Sequence, residues 1–175
     1  MIKKTYTDYL FKELPLWFIC TITSFLPDHP FFCKIRGWLA KPFFTKCGKN
    51  FQFGSRVRFI RPSQITIGNN VYLAEGCWAD GTAGITLEDE VLFGPYCIVV
   101  STLHGRDETG SYRFARGKQQ LIHIGRGTWL CAHTVVSAGS TIGSGCVIGA
   151  NAVVTGSIEN NKIVRTAHTN ISSAN

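Results

Sequence analysis

The chain has 175 residues, a length that suits one domain with a small appendage and a sizeable core. Hydrophobic residues make up 45% and charged residues 17%, which argues against disorder, since disorder needs low hydrophobicity and dense charge. The formal net charge is +7, and its distribution is uneven: residues 1–61 carry eleven Lys or Arg against three Asp or Glu, whereas residues 62–175 carry seven against eight.

The basic first third could face nucleic acid, a membrane surface or an anionic substrate. We expect no nucleic acid, because no helix-turn-helix, zinc-finger or RNP pattern accompanies the basic residues. The longest apolar run, residues 14–26, is shorter than the roughly 20 residues that span a bilayer. Asp8 and Glu13 precede it and no clear cleavage motif follows, so a signal peptide is not indicated and a cytoplasmic protein is expected.

Residues 1–50 predict a helical N-terminal cap that is basic and rich in aromatic side chains. Apolar residues from Tyr6 to Trp17 follow helical spacing, and Pro15 is expected to break that run and open a second helix over about 16–25. A third helix is expected from Pro30 to about Ala40. Two interpretations stay open: the cap only packs on the next domain, or it also contacts an anionic bilayer as a peripheral element at the inner face of the cytoplasmic membrane.

From residue 51 onward an aliphatic or small side chain returns every six positions. The members are Ile67, Leu73, Ala79 and Ile85, then Leu87, Phe93 and Val99, then Ile124, Leu130, Val136, Ile142, Ile148 and Val154. This period predicts a parallel β-solenoid, with these side chains in a narrow core and small or β-branched residues four positions later. Seven cysteines form no CxxC pair, and four of them (Cys77, Cys97, Cys131 and Cys146) are expected to be inert core fillers in a reducing compartment.

The spacing between repeats predicts one ejected loop. Ile124 to Ile142 is 18 residues, one triangular coil, and Ile67 to Leu87 is 20, one coil with a two-residue slip. Leu87 to Ile124 is 37 residues, so about 19 residues are in excess, and the polar, Gly-rich segment 103–121 accounts for them. We therefore expect a helical cap over 1–50, a solenoid over 51–165 and a short polar tail over 166–175.

Two phrases resemble a known family. Ile-Gly-x-x-x-Trp-Leu at 124–130 and Val-Ile-Gly-Ala-x-x-Val-Val-Thr at 147–155 resemble the hexapeptide-repeat acetyltransferases, in the maltose, galactoside and serine acetyltransferase branch. Within that branch the sequence is most similar to O-acetyltransferases of surface-polysaccharide biosynthesis. The resemblance implies a left-handed parallel β-helix, a homotrimer, and acetyl-CoA bound in clefts between neighbouring subunits, with no metal.

His104 is the predicted catalytic base. A sugar hydroxyl is too weak an acid to ionise alone near neutral pH, and an imidazole can accept its proton during attack on a thioester. In the family a His at the start of this loop has that role, and His104 matches it in Ser-Thr-Leu-His at 101–104. His133 could line the cleft, whereas His123 is expected to face solvent.

The resemblance also implies a cofactor site. Trp129 matches a residue that borders the CoA channel, although it could instead be a packing aromatic between subunits. Ala132, Ala150 and Thr155 match positions that line the pantetheine arm. The family's Lys after the Val-Val-Thr phrase and its Gly-x-Pro-Ala-Lys/Arg closing motif are absent here, so Arg165 and Lys162 are the expected partners for the CoA phosphates.

Glu75, Trp78 and Asp80 are the predicted acceptor residues, because an exposed Trp beside carboxylates can hold a sugar ring. The alternative is that the acids are a turn residue and a solvated surface group. Gly76 replaces an Asn that galactoside-type members use, which argues against a galactoside or maltose acceptor.

The predicted function is acetyl-CoA-dependent O-acetylation of a sugar hydroxyl in O-antigen, capsule or exopolysaccharide, on an acceptor that could be lipid-linked. One alternative is an N-acetyltransferase of an amino sugar or antibiotic on the same fold. The others are a γ-carbonic-anhydrase-like metal enzyme, whose histidine spacing this chain does not match, and a non-enzymatic module.

Overall fold

The computed structural model describes residues 6–115 and 117–166. It begins with a helical leader, residues 6–45, in which α1 (Tyr6–Asp8), a π-helical turn (Tyr9–Glu13) and α2 (Leu14–Thr23) follow one another. The leader continues through α3 (Pro30–Ala40) and a 3₁₀ turn (Lys41–Phe43). None of the helices in these described ranges is long and apolar enough to cross a bilayer.

The predicted break at Pro15 is wrong, whereas the second helix that Pro15 was expected to open is confirmed at Leu14–Thr23. The backbone stays helical through Glu13 and Leu14 and runs on into α2, with Pro15 in the first turn of that helix. Proline lacks an N–H and its ring crowds the preceding turn, and the wider π-helical turn that ends at Glu13 accommodates both demands. The predicted third helix is confirmed at Pro30–Ala40.

The rest of the chain forms three parallel sheets that wind into a solenoid of about six turns. The first sheet contains β1 (Lys46–Cys47), β4 (Ile65–Ile67), β7 (Ile85–Leu87), β10 (Ile122–Ile124), β13 (Thr141–Ile142) and β16 (Ser157–Ile158). The second contains β2 (Gln52–Phe53), β5 (Tyr72–Leu73), β8 (Leu92–Phe93), β11 (Trp129–Leu130), β14 (Val147–Ile148) and β17 (Ile163–Val164). The third contains β3 (Arg58–Ile60), β6 (Trp78–Asp80), β9 (Ile98–Val100), β12 (Val135–Ser137) and β15 (Val153–Val154).

The predicted solenoid and its core are confirmed. Every residue of the predicted six-residue series is buried. The first strand, at Lys46, precedes the predicted start of the solenoid at residue 51. Successive coils are held by register-matched pairs such as Thr86 with His123 and His123 with Thr141.

The coils differ in length at one corner. Residues paired between neighbouring coils are 20 apart from Lys46 to Thr66 and from Thr66 to Thr86, then 37, 18 and 16 apart as far as Ser157. Four residues separate the strands at both other corners throughout, so all variation falls where the third sheet turns into the first. The predicted two-residue excess between Ile67 and Leu87 is therefore confirmed, but its expected place between Ile85 and Leu87 is wrong, because both residues point inward from β7.

The leader closes the end of the solenoid formed by β1–β3. Leu16, Cys20 and Ala40 join the same core cluster as Phe51 and Phe53 of the first coil. The Arg36 guanidinium is buried and pairs with Asp28 at 2.7 Å. The same side chain donates to the backbone oxygen of Thr23 at 3.0 Å and to that of Leu26 at 2.5 Å. These bonds connect α3 to the end of α2.

The cysteines behave as core residues. Cys77, Cys97 and Cys146 are buried at solenoid corners, while Cys131 is partly buried. Burial raises the pKa of Cys20 to about 12 and that of Cys47 to about 11, and burial also raises the pKa of Cys131. A protonated thiol is a poor nucleophile, so these groups are packing residues.

Candidate functional site

A shallow groove of about 420 Å³ runs along the outer face of the third sheet. Its lining is Gly76, Trp78, Tyr96, Ile98, Val100 and His133. The strands supply it by alternation: Ala79 and Val99 point into the core, so their neighbours Trp78 and Ile98 point out and pair in register. Trp78 is 44% exposed, which leaves a broad apolar surface open to a ligand.

Tyr96 is a groove residue that the sequence interpretation missed. Its ring stacks on that of His133, with centroids 5.4 Å apart and planes 10° apart. Both residues have positive φ, 58° and 59°, a conformation that costs energy for side chains of this size. The available signal was the corner position that Tyr96 shares with Gly76 one coil earlier, where a large side chain at a tight turn is unusual.

Gly76 makes room for that ring. Its φ is +71°, and a Cβ added there would overlap Cδ1 and Cε1 of Tyr96. The small residue at this position thus lets the Tyr96 ring lie against the backbone of the preceding coil. At Gly76, where galactoside-type members are expected to have an Asn that orients the sugar, the space is therefore filled by an aromatic ring from the next coil.

Three predicted cofactor residues form one column. Ala132 and Ala150 lie at successive corners between the second and third sheets, where Asn151 N donates to Ala132 O at 3.1 Å. Arg165 directly follows β17 and reaches the same corner one coil later, one residue out of register with Ala150 because Val164 pairs with Ile148. Coils stack about 4.8 Å apart, so this corner forms an edge parallel to the solenoid axis. Ala150 and Arg165 are exposed, and the small side chains leave room along the edge for an elongated ligand.

The other two predicted cofactor residues lie apart from that column. Trp129 points outward from β11 in the second sheet and is 45% exposed. Thr155 is exposed at the corner between the third and first sheets, the same corner that ejects the long loop. One chain therefore does not gather all five residues at one point.

His104 lies on the ejected loop, which spans 101–121 between β9 and β10. The stem of the loop is closed by Leu103 N donating to Lys118 O at 2.8 Å and by Gln120 N donating to Ser101 O at 3.1 Å. The side chain of His104 is exposed and makes no hydrogen bond within the described residues. Its imidazole is thus available to a substrate.

His104 and the column occupy opposite edges of the third sheet. The four steps from the inward Cys97 to the inward Ser101 span roughly 13 Å at about 3.3 Å per residue. The groove lies between those edges, with Trp78 and Val100 on its floor. The loop that carries His104 and the column therefore flank the groove on either side.

The two predicted acceptor acids are already engaged. Asp80 Oδ1 accepts from the N–H of Thr82 at 2.9 Å and from its hydroxyl at 2.6 Å, and Oδ2 accepts from the Thr102 hydroxyl at 3.2 Å. Glu75 forms an ion pair with Arg56 at the corner of the coil. Asp80 thus holds the base of the loop, and Trp78 is the predicted acceptor residue that lines the groove.

His123 lies on a different face, on the outside of β10, 3.3 Å from Glu88. Its predicted outward orientation is confirmed, and it is remote from the groove lining. Within residues 6–115 and 117–166 of one chain, no group of three His, Cys, Asp or Glu is close enough to hold a metal ion.

Comparisons with known proteins agree with the fold. The family model described as "Bacterial transferase hexapeptide (six repeats)" matches residues 122–156. Galactoside O-acetyltransferase of Escherichia coli K12 is 31% identical over 145 residues, which cover 80% of this chain and 68% of that protein.

Two further relatives cover most of the chain. The putative colanic acid biosynthesis acetyltransferase WcaF of Escherichia coli K12 is 24% identical over 156 residues, 87% of this chain and 82% of that protein. A solved structure of galactoside acetyltransferase in complex with coenzyme A superposes with a TM-score of 0.77 at 26% identity, over 93% of this chain and 80% of that one.

Proposed function

The chain belongs to the hexapeptide-repeat acetyltransferase family, and from that premise we propose that it transfers an acetyl group from acetyl-CoA to a sugar hydroxyl during surface-polysaccharide biosynthesis. The observation that carries the proposal is the exposed imidazole of His104, which makes no hydrogen bond to the described residues and follows β9, the strand whose Ile98 and Val100 line an open aromatic groove. The relation to a colanic acid biosynthesis acetyltransferase supports a polysaccharide acceptor, and a lipid-linked form of that acceptor is part of the proposal.

The chemistry follows from the residue types. One nitrogen of the His104 imidazole accepts the hydroxyl proton as the hydroxyl oxygen bonds to the acetyl carbonyl carbon, and gives a proton to the sulfur as the carbon–sulfur bond breaks. The products are an O-acetyl ester and free CoA. The buried thiols face the core and are out of contact with a substrate on the surface, so we propose direct transfer without an acyl-enzyme.

Acetyl-CoA is proposed to lie along the column of Ala132, Ala150 and Arg165. The small side chains give the pantetheine arm a flat edge, and the Arg165 guanidinium is a phosphate ligand at its end. Trp129, on the second sheet, and Thr155, at the corner between the third and first sheets, would contact the same molecule.

A homotrimer would complete the site. His104 and the column stand on opposite edges of the third sheet, so parallel packing of copies would bring the loop of one subunit against the column of the next. Exposed apolar residues outside the groove, Val153 among them, supply surface for such packing. The groove with Trp78 and Tyr96 would then receive the sugar ring.

The test is His104→Ala in the full-length protein. We expect kcat for acceptor-dependent CoA release to fall by about 10²- to 10⁴-fold with unchanged thermal unfolding and oligomeric mass. His123→Gln, on the first sheet, is the matched control and should retain activity. Normal turnover by the His104 variant would refute the assignment of the base.

The acceptor is identified by mass spectrometry of polysaccharide from a strain that lacks the protein. Loss of one acetyl group from a single sugar is expected, and in the intact polysaccharide that group should be released by mild alkali, as an ester is. An alkali-stable acetyl group would instead indicate the N-acetyltransferase alternative. An unchanged polysaccharide would count against a surface-polysaccharide acceptor.

A further inference from the structure

The leader carries an apolar stripe on the side that faces away from the solenoid. It consists of Phe11, Phe18, Ile22 and Phe25, which are 71%, 51%, 67% and 88% exposed. Their spacings of seven, four and three residues place them on one side of the helical backbone. The opposite side of α2 carries the buried Leu16, Cys20 and Thr23. The helix therefore has two apolar faces, of which the solenoid covers one.

α3 carries a second exposed face with a different composition. Phe31, Lys34, Trp38 and Lys41 recur at helical spacing and are all exposed, while the opposite face of α3 packs on β2. Trp38 is 73% exposed. Tryptophan and lysine are the side chains that favour the boundary between lipid and water, because each joins an apolar body to a polar end.

The charge of this surface favours an anionic partner. Residues 6–61 contain nine Lys or Arg and three Asp or Glu. All three acids are engaged internally: Asp8 accepts from the Ser63 hydroxyl at 2.6 Å, Glu13 from the Arg61 N–H at 3.1 Å, and Asp28 pairs with Arg36. Four lysines of the leader and first coil are exposed. They are Lys34, Lys41, Lys46 and Lys49.

We propose that the leader docks on an anionic lipid bilayer, with the stripe inserted among the headgroups and acyl chains and the exposed lysines at the phosphates. The helices would lie flat, because their other faces are fixed against the core. The solenoid would then stand on the bilayer by its helical end. This inference rests on the proposed function only in its purpose, which is to bring the enzyme to a lipid-linked acceptor.

Alternation of lysine with aromatic residues favours lipid over a protein partner. A protein interface at this site would bury Lys34 and Lys41 among apolar side chains, and lysine is depleted from interface cores. At a bilayer the same lysines extend to the headgroups while their stems cover apolar surface. The competing occupant of this surface is a second copy of this chain, and the experiment must distinguish it from lipid.

The test is flotation of the full-length protein with phosphatidylcholine vesicles, with and without phosphatidylglycerol. We expect binding to the anionic vesicles that weakens with salt and is weaker for neutral vesicles. Phe18→Ser combined with Ile22→Ser should weaken partitioning about tenfold or more. Lys34→Glu combined with Lys41→Glu should weaken binding to anionic vesicles by a similar factor and change binding to neutral vesicles little.

Matched controls lie at the other end of the solenoid. Ile163→Ser removes an equally exposed apolar side chain, and Lys162→Glu reverses an exposed charge, and both variants should bind as the unmodified protein does. Thermal unfolding verifies that each variant is folded. If the double variant of the stripe does not fold, Phe25→Ser takes its place, because Phe25 lies beyond the end of α2.

Three results would overturn the inference. The first is absence of binding by the intact protein, and the second is stripe variants that bind as well as the intact protein does. The third is an intact protein that does not bind vesicles but changes its oligomeric mass when the stripe is substituted. The last result would assign the stripe to contact between copies. Flotation needs no acetyl transfer, so an inactive His104 variant that still floats separates this inference from the proposed function.

Discussion

Asp80 illustrates how the role of one side chain depends on its contacts. Sequence placed it beside Trp78 as a sugar ligand, and Trp78 does line the groove. The carboxylate itself accepts three hydrogen bonds, from Thr82 and from Thr102 at the start of the loop. In addition, the backbone oxygen of Asp80 accepts from the Ser101 hydroxyl at 2.7 Å. These contacts favour a positioning role, in which Asp80 fixes the stem that carries His104.

Asp80→Ala tests this role. We expect the free energy of unfolding to fall by about 1–2 kcal/mol, because the Thr82 and Thr102 donors lose their acceptor, and kcat to fall more than the acceptor KM rises. Urea denaturation and steady-state kinetics provide the two readouts. Asp107→Ala is the control, because among the described residues the Asp107 carboxylate accepts only from Thr109 and Ser111 within the tip of the loop. A raised KM with unchanged stability and kcat would indicate direct sugar binding instead.

At the scale of secondary-structure elements, α3 depends on one glycine for its approach to the first coil. A Cβ added to Gly37 would overlap the carbonyl oxygen and carbon of Phe51. The helix carries the buried Arg36 and Ala40 on the same side, so it cannot rotate away without removing them from the core. Local helix propensity disfavours glycine here, and the close contact with a strand explains its presence.

Gly37→Ala is therefore expected to destabilise the protein, although alanine is the better helix former. We expect the free energy of unfolding to fall by about 2–4 kcal/mol. The added Cβ is fixed to the backbone of α3 and overlaps the backbone of Phe51, so neither atom can move aside alone. The control is Gly127→Ala, where nothing lies within 4 Å of the added Cβ and only its φ of +67° is unfavourable, at about 1–2 kcal/mol. Thermal unfolding compares the two. An equal or smaller loss at Gly37 would show that α3 shifts freely on the coil.

At the scale of the whole molecule, the solenoid distributes its stability unevenly. Ile124 is fully buried in a central coil, between Leu87 and Ile142 in register. Val164 lies in the last coil and is only partly buried against the core. In a stack of repeats each coil is stabilised by its neighbours, so an inner residue has two contacting layers and a terminal residue has one.

Replacing these residues by alanine should reveal that gradient. Ile124→Ala is expected to cost about 3–4 kcal/mol, through lost burial and a cavity, and Val164→Ala about 1 kcal/mol. Chemical denaturation measures both, and hydrogen exchange should show faster exchange in the last coil than in the centre. Equal losses would mean that the last coil is packed as tightly as the inner ones.

The six-residue series largely determined the fold, because an apolar side chain that returns inward on every strand builds a narrow core. It did not locate the two-residue difference in coil length. That difference falls at the corner between the third and first sheets, where the number of residues between strands varies. The series therefore misplaced the slip at Ile85 and Leu87, which share a strand. In the leader, propensity predicted a break at Pro15, but a π-helical turn accommodated the proline.

The sequence alone indicated the solenoid, the ejected loop, the basic aromatic leader and His104 at the loop start, because each depends on local spacing and composition. Tertiary structure alone decided which residues meet. The Tyr96 ring occupies the space above Gly76, Asp80 is bound to the loop stem, and Phe11, Phe18, Ile22 and Phe25 form one outward stripe. The physical reason is that contacts between coils join residues about 20 or 37 positions apart, and the six-residue series gives these separations but not which outward side chains touch across them.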